Sequence, residues 1–397
     1  MSKSEPAARA HLDKYLALDD FEIAARGRLP RPIFEYIRGG VEDSQSLDAN
    51  RAAFRRLAFV TRVLRPISKR STTTALFGAT WGAPFGIAPM GICALSSYRG
   101  DLVLAEAAAR ANIPFIMSGA SLIALEDVVA VNPDVWFQAY LHYDADKILP
   151  MLDRIATAGY RTLVVTVDTA VGGNRENNIR AGFRTPLRPS LRLAWDGLVR
   201  PRWLVGVFLQ TLLRHGMPHF ENSSHERGAP VISARAERDY SQRGQLSWRH
   251  IQIIRAHWKG RLVIKGILHP EDARMAVDVG ADGLIVSNHG GRQLDGAMAP
   301  LVALPGVVAA AGRTPVMVDS GFRRGGDVLK ALALGAQFVF VGRPFAFAAA
   351  MGGVAGVGRA IDLLRAEIDR NLAMLGLTAI DKVSRACLRR PDGEALD

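Results

Sequence analysis

The residues equipped for chemistry fall at the ends of short apolar runs. Gln138 and Tyr140 close VWFQAY (135–140), Thr166 and Asp168 close TLVVTVD (162–168), and Lys265 closes RLVIKG (261–266). Ser287, Asn288, His289 and Arg292 follow the run GLIVSN (283–288). Asp319 and Ser320 end PVMVDS (315–320), with Gly321 and Arg323 just beyond, and Gly342 and Arg343 follow FVFVG (338–342). Each has an ordinary explanation when taken alone: Lys265 a solvated strand end, His289 a satisfied loop histidine, Arg343 a surface charge. One polar residue at a strand end costs little, but a ring of Lys, His, Asp and three Arg costs a great deal. The chemistry indicated is anion binding. DSGFRRGGD (319–327) and GRP (342–344) bring Gly, backbone N–H groups and Arg together in the place where barrels commonly hold a phosphate. With Lys265 across the barrel, a phosphate-bearing cofactor lying over the mouth is expected.

Two further runs, FGIAP (85–89) and PFIMS (114–118), bring the expected strands to eight. Between strands lie segments with apolar residues at i, i+3 and i+4: DLVLAEAAARA (101–111), ADKILPMLDRIATA (145–158), SWRHIQIIRAHW (247–258), EDARMAVDVG (271–280) and GGDVLKALALG (325–335). Strand–helix alternation implies right-handed crossovers and a parallel sheet, and eight repeats imply a closed (β/α)8 TIM barrel. Residues 1–80 read as an N-terminal helical segment and 81–397 as the barrel. A long insertion after strand 4, residues 169–245, far exceeds an ordinary connection and is expected to be a lid, a docking element or both.

Composition narrows the classes. Of 397 residues 49% are hydrophobic and 22% charged, which excludes a mostly disordered chain. Two cysteines, Cys93 and Cys387, exclude a disulfide framework and a four-cysteine zinc site, and no metal is expected. The N-terminal stretch alternates charges without an apolar core, and no run of about 18 apolar residues occurs, so neither a signal peptide nor a spanning helix is expected. The formal charge of +12 suits anionic partners, yet only 7% of residues are aromatic and no basic stripe carries stacking rings. Nucleic acid is therefore not an expected partner.

The strings YIRGGVEDSQSL (36–47), TVDT (166–169), VIKGI (263–267), SNHGGRQLD (287–295) and DSGFRRGGDVLKALALGA (319–336) resemble the FMN-dependent L-2-hydroxy acid dehydrogenase and oxidase family. The resemblance runs in motif order from Tyr36 to the C-terminus, with the insertion as its irregular part. It implies a barrel with FMN at the carboxyl face. It also implies a substrate carboxylate on Arg175, Arg292 and the Tyr36 hydroxyl, since arginine presents a planar fork to two oxygens. His289 would take the hydroxyl proton, Asp168 would orient it, and Tyr140 would hydrogen-bond the substrate oxygen. Lys265 would lie beside flavin N1/O2. Ser118, Gln138, Thr166 and Ser287, with the Pro89–Met90–Gly91 turn, would meet the ring or ribityl chain. Asp319, Ser320, Gly321, Arg323, Gly342 and Arg343 would hold the ribityl and phosphate end.

Two departures bear on substrate. Ala120 stands where glycolate oxidase-like members carry Trp, which points away from glycolate and towards lactate or a bulkier 2-hydroxy acid. Met90 stands where many members carry Thr. Within the insertion, 184–215 carries six arginines against one aspartate and an apolar run WLVGVFL (203–209), with Trp195 and Trp203 expected at the edge of a membrane-inserting segment. The expectation is a cytoplasmic protein held peripherally on the inner face of the cytoplasmic membrane, a homo-oligomer (tetramer by resemblance), passing electrons to quinone or another acceptor. The rival reading is a soluble oxidase that uses O2 and releases H2O2.

Overall fold

A computed structural model describes residues 11–233 and 244–396. The eight expected runs form one parallel sheet: β1 (Phe85–Ile87), β2 (Ile116–Ser118), β3 (Trp136–Ala139), β4 (Thr162–Thr166), β5 (Arg261–Ile267), β6 (Gly283–Val286), β7 (Val316–Val318) and β8 (Phe338–Val341). Neighbours pair in sequence order and β8 pairs with β1. The remaining seam closes where Ile87 bridges Phe115 in parallel and its N–H donates to the Pro114 carbonyl at 2.9 Å. The sheet is a (β/α)8 barrel.

Period-two alternation sorts the strand residues. Ile116, Trp136, Val164, Val263, Ile285, Met317, Phe338 and Phe340 form one buried cluster inside the barrel, while Phe137, Leu163, Val165, Leu262, Ile264, Leu284 and Val286 belong to the cluster shared with the helices. Burial on both sides explains why these runs are apolar throughout rather than alternating.

The five helices anticipated from periodicity form, over Gly100–Ala111, Ala145–Thr157, Trp248–His257, Pro270–Asp278 and Gly325–Ala333. Three more follow strands 2, 6 and 8: Leu125–Val131, Pro300–Ala311 and Arg343–Met374. Pro300–Ala311 has no polar stripe to betray it and contains Pro305, while Arg343–Met374 breaks helical geometry at Gly352 and Gly353. Arg343–Met374 is long and apolar enough to cross a membrane by length and composition, but half of its most apolar window is buried, against Gly100–Ala111 and Leu18–Arg28.

The segment before β1 is less helical than its composition indicates. Helices Leu18–Arg28, Arg31–Arg38 and Gln45–Arg55 give way to a hairpin, Thr74–Leu76 with Ala79–Trp81, whose two turn residues Phe77 and Gly78 both have positive φ. Leu76 and Trp81 from this hairpin plug the amino end of the barrel. Ala58–Phe59 pairs antiparallel with Leu388–Arg389, tying the first segment to the last.

In the insertion, helices Glu176–Ala181 and Leu191–Leu198 precede a helical stretch from Pro201 to His215 that widens to π geometry over Leu204–Leu209. Residues 234–243 of the expected insertion lie outside the described residues. The two tryptophans separate. Trp195 is 65% exposed, together with exposed Leu191, Leu198, Val205 and Leu213, whereas Trp203 is 8% exposed. Trp203 is no interfacial residue: its indole N–H donates to the Leu95 carbonyl at 2.6 Å and its ring stacks on Phe208, docking the stretch on the barrel. Of the cysteines, Cys93 is buried and Cys387 only partly so.

Candidate active site

The carboxyl ends of the strands open into a cavity of about 430 Å³. Around it lie Tyr36, Pro89, Met90, Gly91, Tyr140, Thr166, Arg175, Lys265, His289, Arg292, Asp319, Ser320, Gly321, Arg323, Gly342 and Arg343, all anticipated from sequence. Ser118, Gln138, Asp168 and Ser287 are not part of that lining; Asp168 and Ser287 reach it through His289 and Lys265.

His289 sits at φ +59 just past β6, a left-handed conformation that turns its ring back over the mouth. Its Nδ1 is 2.9 Å from Asp168 Oδ1, and its Nε2 is 3.4 Å from the Tyr140 hydroxyl. Asp168 approaches closely because β5 bulges at Gly266 (φ +111), where a Cβ would stand 2.7 Å from that of Asp168. Gln293 holds the same loop, donating to the carbonyls of Asp168 (3.2 Å) and Val171 (3.0 Å). Gln293 lies within SNHGGRQLD, but nothing in its type or spacing announces this bracing role.

Lys265 is buried at the end of β5, donating to Ser287 Oγ at 2.8 Å and pairing with Asp319 Oδ2 at 3.2 Å. Ser287 Oγ also accepts the His289 N–H at 3.0 Å, so this hydroxyl holds the lysine and the histidine backbone in place rather than facing the cavity. Ser118 is likewise committed, donating to Gln138 Oε1 at 3.1 Å. That bond fixes the Gln138 amide and leaves its Nε2, with the Thr166 hydroxyl, buried and unpartnered. Such donors are costly to bury unmatched, and two at neighbouring strand ends mark where a polar ligand edge belongs.

Four arginines line the same cavity. Arg292 donates to the Gly39 carbonyl at 2.7 Å and lies over the Tyr36 ring, which stacks on Phe183. Arg175 donates to the Arg292 carbonyl (3.2 Å) and to Gln293 Oε1 (3.0 Å). Arg343, expected at a phosphate, directs its guanidinium to the carbonyls of Ile37 and Gly39, both 2.9 Å away. Arg323 pairs with Asp19 at 3.1 Å and faces Glu22 at 3.8 Å.

Burial and mutual repulsion set the charges. Burial, then Arg175, lowers Arg292 to about 10; burial, then Arg292 and Arg323, lowers Arg343 well below the usual guanidinium range. A cluster that depresses its own members is completed by anions. Burial would push the Asp168 carboxyl up, but His289 and Lys265 hold it below its ordinary value. Lys265 is raised: burial opposes its charge, and Asp319 and Asp168 outweigh burial. His289 is lowered, because burial outweighs the support of Asp168. At neutral pH the pair is therefore carboxylate and neutral imidazole, an arrangement able to accept a proton. Among the described residues no cluster of His, Cys, Asp and Glu could hold a metal ion.

A family model described as FMN-dependent dehydrogenase matches residues 25–390. The chain belongs to the FMN-dependent dehydrogenase family. It is 38% identical to (S)-mandelate dehydrogenase of Pseudomonas putida over 92% of each chain. It is 39% identical to L-lactate dehydrogenase of Xanthomonas campestris pv. campestris (strain 8004), over 96% of this chain and 98% of that one. A crystal structure of the monotopic membrane protein (S)-mandelate dehydrogenase superposes with a TM-score of 0.85 at 36% identity, covering 95% of this chain and 99% of that chain. The family's cofactor suits this cavity, which is lined by the unmatched Thr166 hydroxyl, a buried lysine, anion-seeking arginines and glycine turns.

Proposed function

We propose that the cavity binds FMN with its ring towards Gln138, Thr166 and Lys265 and its phosphate towards Gly321, Arg323, Gly342 and Arg343, and that an L-2-hydroxy acid is oxidised there to the 2-oxo acid. FMN, when bound, would take up the C2 hydrogen and the two electrons released as the C–OH becomes C=O, while the hydroxyl proton goes to a base. The observation that carries the reading is the juxtaposition of His289, poised between Asp168 and Tyr140, with Arg175 and Arg292 across the same cavity. Arg292, Arg175 and the Tyr36 hydroxyl hold the substrate carboxylate, aiming the hydroxyl at His289 Nε2. His289 takes the hydroxyl proton, and Asp168, ionised and 2.9 Å away, stabilises the imidazolium that forms. Tyr140 steadies the substrate oxygen. Lys265 holds positive charge where the ring becomes electron-rich.

The substrate is lactate- or mandelate-like. Ala120 is a small residue in the lining, but Gly91 beside it is already closely packed: a Cβ there would stand 3.0 Å from Ala120 Cβ and 3.1 Å from the Tyr36 hydroxyl. The acceptor is quinone or another respiratory carrier, reached from the inner face of the cytoplasmic membrane. Exposed Leu191, Trp195, Leu198, Val205 and Leu213, among the arginines of 184–215, support shallow insertion into an anionic surface. The assembly carried over from the resemblance is a tetramer.

The test is anaerobic addition of L-lactate, then L-mandelate, to the yellow protein. Bleaching by either acid supports the reaction, and bleaching by neither removes this substrate class. Admitting air then separates the two acceptor readings: slow return of colour, accelerated by a soluble quinone, supports the dehydrogenase, and return within seconds supports the oxidase. Deleting residues 186–214 is expected to release the protein from anionic vesicles while sparing FMN; retained binding removes the attachment site.

A further inference from the structure

His289 is only as well placed as the loop that carries it. His289, Gly290 and Gly291 have φ of +59, +69 and +72, three consecutive left-handed residues. For a residue with a side chain that conformation is strained and persists only where surroundings impose it. Gly291 admits no substitute, because a Cβ there would stand 2.6 Å from the Leu47 nitrogen. The loop is thus pressed against the Gln45–Arg55 helix, which belongs to the segment ahead of the barrel.

That helix grips it through a buried amide pair. Asn50 Nδ2 donates to Asn288 Oδ1 at 2.8 Å, and Asn288 Nδ2 donates back to Asn50 Oδ1 at 2.7 Å. Both residues are almost wholly buried. Asn288 Oδ1 also accepts the Gly291 N–H at 3.1 Å, and Asn288 Nδ2 reaches the Met298 carbonyl at 3.3 Å. The Asn288 amide therefore braces the backbone on both sides of the turn, and its orientation is set by a partner that donates and accepts at once. Only an amide does both in this geometry. Asn50 also packs on Gly321, whose Cβ would stand 2.6 Å from the Asn50 carbonyl oxygen. One residue outside the barrel thereby abuts the loop of the candidate base and the turn proposed for the phosphate.

We propose that Asn50 is a positioning residue for the reaction, acting through Asn288 to hold His289 against Asp168 and Tyr140. The inference rests on His289 being the base. A misplacement of about 1 Å at a reacting group costs about 100-fold in rate, so a loop released from the pair slows proton removal without removing the pocket.

The experiment measures flavin reduction by the bleaching acid in stopped flow, reading limiting rate and substrate dissociation constant separately, with FMN content and melting temperature. Asn50→Asp keeps the size and the bond accepted from Asn288 but loses the donated one. It is expected to lower the limiting rate about 10- to 100-fold with little change in dissociation constant or FMN content. Asn50→Leu is expected to lower the limiting rate, Asn288→Leu, which also loses the bonds to Gly291 and Met298, to lower it at least as much, and their double variant to fall little below Asn288→Leu, as members of one unit do. Ala53→Gly loosens the same helix without touching the pair; a lowered melting temperature at unchanged limiting rate is the expected control. A wild-type limiting rate in the flavin-loaded Asn50→Asp protein overturns the proposal, as does a double variant whose loss is the product of the single losses. Should Asn50→Leu fail to fold, Asn50→Asp decides. Absence of reduction in the wild type is a failure of the reaction assigned above, and is distinguishable at once.

Discussion

The two ends of the barrel are built from the same eight strands and differ in almost every physical respect. At the amino end Leu76, Trp81, Trp136, Met317 and Phe338 pack into an apolar plug, with the Phe77 ring 5.5 Å from Trp136. Charge stays at the rim there, where Arg161 pairs with Asp134 and both are well exposed. At the carboxyl end Lys265, Asp319, His289 and Asp168 are drawn together over an open cavity. The plug contributes stability in proportion to apolar area removed from water. The polar end offers little of that and demands hydrogen bonds for every group it buries. The division separates what holds the barrel closed from what makes it reactive, so each can be damaged alone.

The sharpest way to break the comparison is at the reactive end. His289→Gln should retain FMN and slow flavin reduction by about 10⁴-fold, the upper range for loss of a general base, with the melting temperature nearly unchanged. A rate near wild type removes His289 as the base. The opposite damage is Phe338→Ala in the plug. It should cost about 3–5 kcal/mol of stability, read from the denaturant midpoint, while folded, flavin-loaded protein turns over within about twofold of wild type. If turnover collapses together with stability, the two ends are not separable.

Arg292→Lys tests one contact within the reactive end. Lysine cannot form the bidentate fork, so the substrate dissociation constant should rise about 100-fold with a smaller change in limiting rate. Unchanged binding contradicts the assigned role. The smallest effect is in pH dependence. His289 must be neutral to act, so kcat/KM falls as pH drops through its pKa, which burial places below the ordinary 6.5. Asp168 supports the protonated imidazole, so Asp168→Asn should move that acid limb to lower pH, apart from any fall in the plateau. A limb that moves upward reverses the sign of the interaction.

Much of this is legible in the amino-acid sequence. The strands are, because runs such as TLVVTVD and GLIVSN are short, apolar and closed by polar residues at a constant end. So are the cavity residues at strand ends from Thr166 to Arg343, since a barrel brings all carboxyl ends to one face, whereas Arg175 of the insertion came only with the family resemblance. What escaped was decided by distance. Asn50 and Asn288 are 238 positions apart, and nothing in either local pattern announces the pair. Trp195 and Trp203 read alike in sequence, yet one is bare and the other is anchored to Leu95. Pro300–Ala311, apolar on all sides, hid its helix, and the hairpin that plugs the barrel was masked by helical neighbours.

By itself the sequence determined the barrel, its cofactor family and the chemical inventory at its mouth, because strand period and residue type act locally and repeat. Only the tertiary structure decided which inventory members face the cavity and which stand behind it. Ser118 and Ser287 were of the right type in the right place, and each spends its hydroxyl on a neighbour. Arg343 stays in the lining yet gives two of its donors to the carbonyls of Ile37 and Gly39. A side chain's partner depends on which of several groups within reach is left unmatched by everything else, and that is settled only when the whole chain has packed.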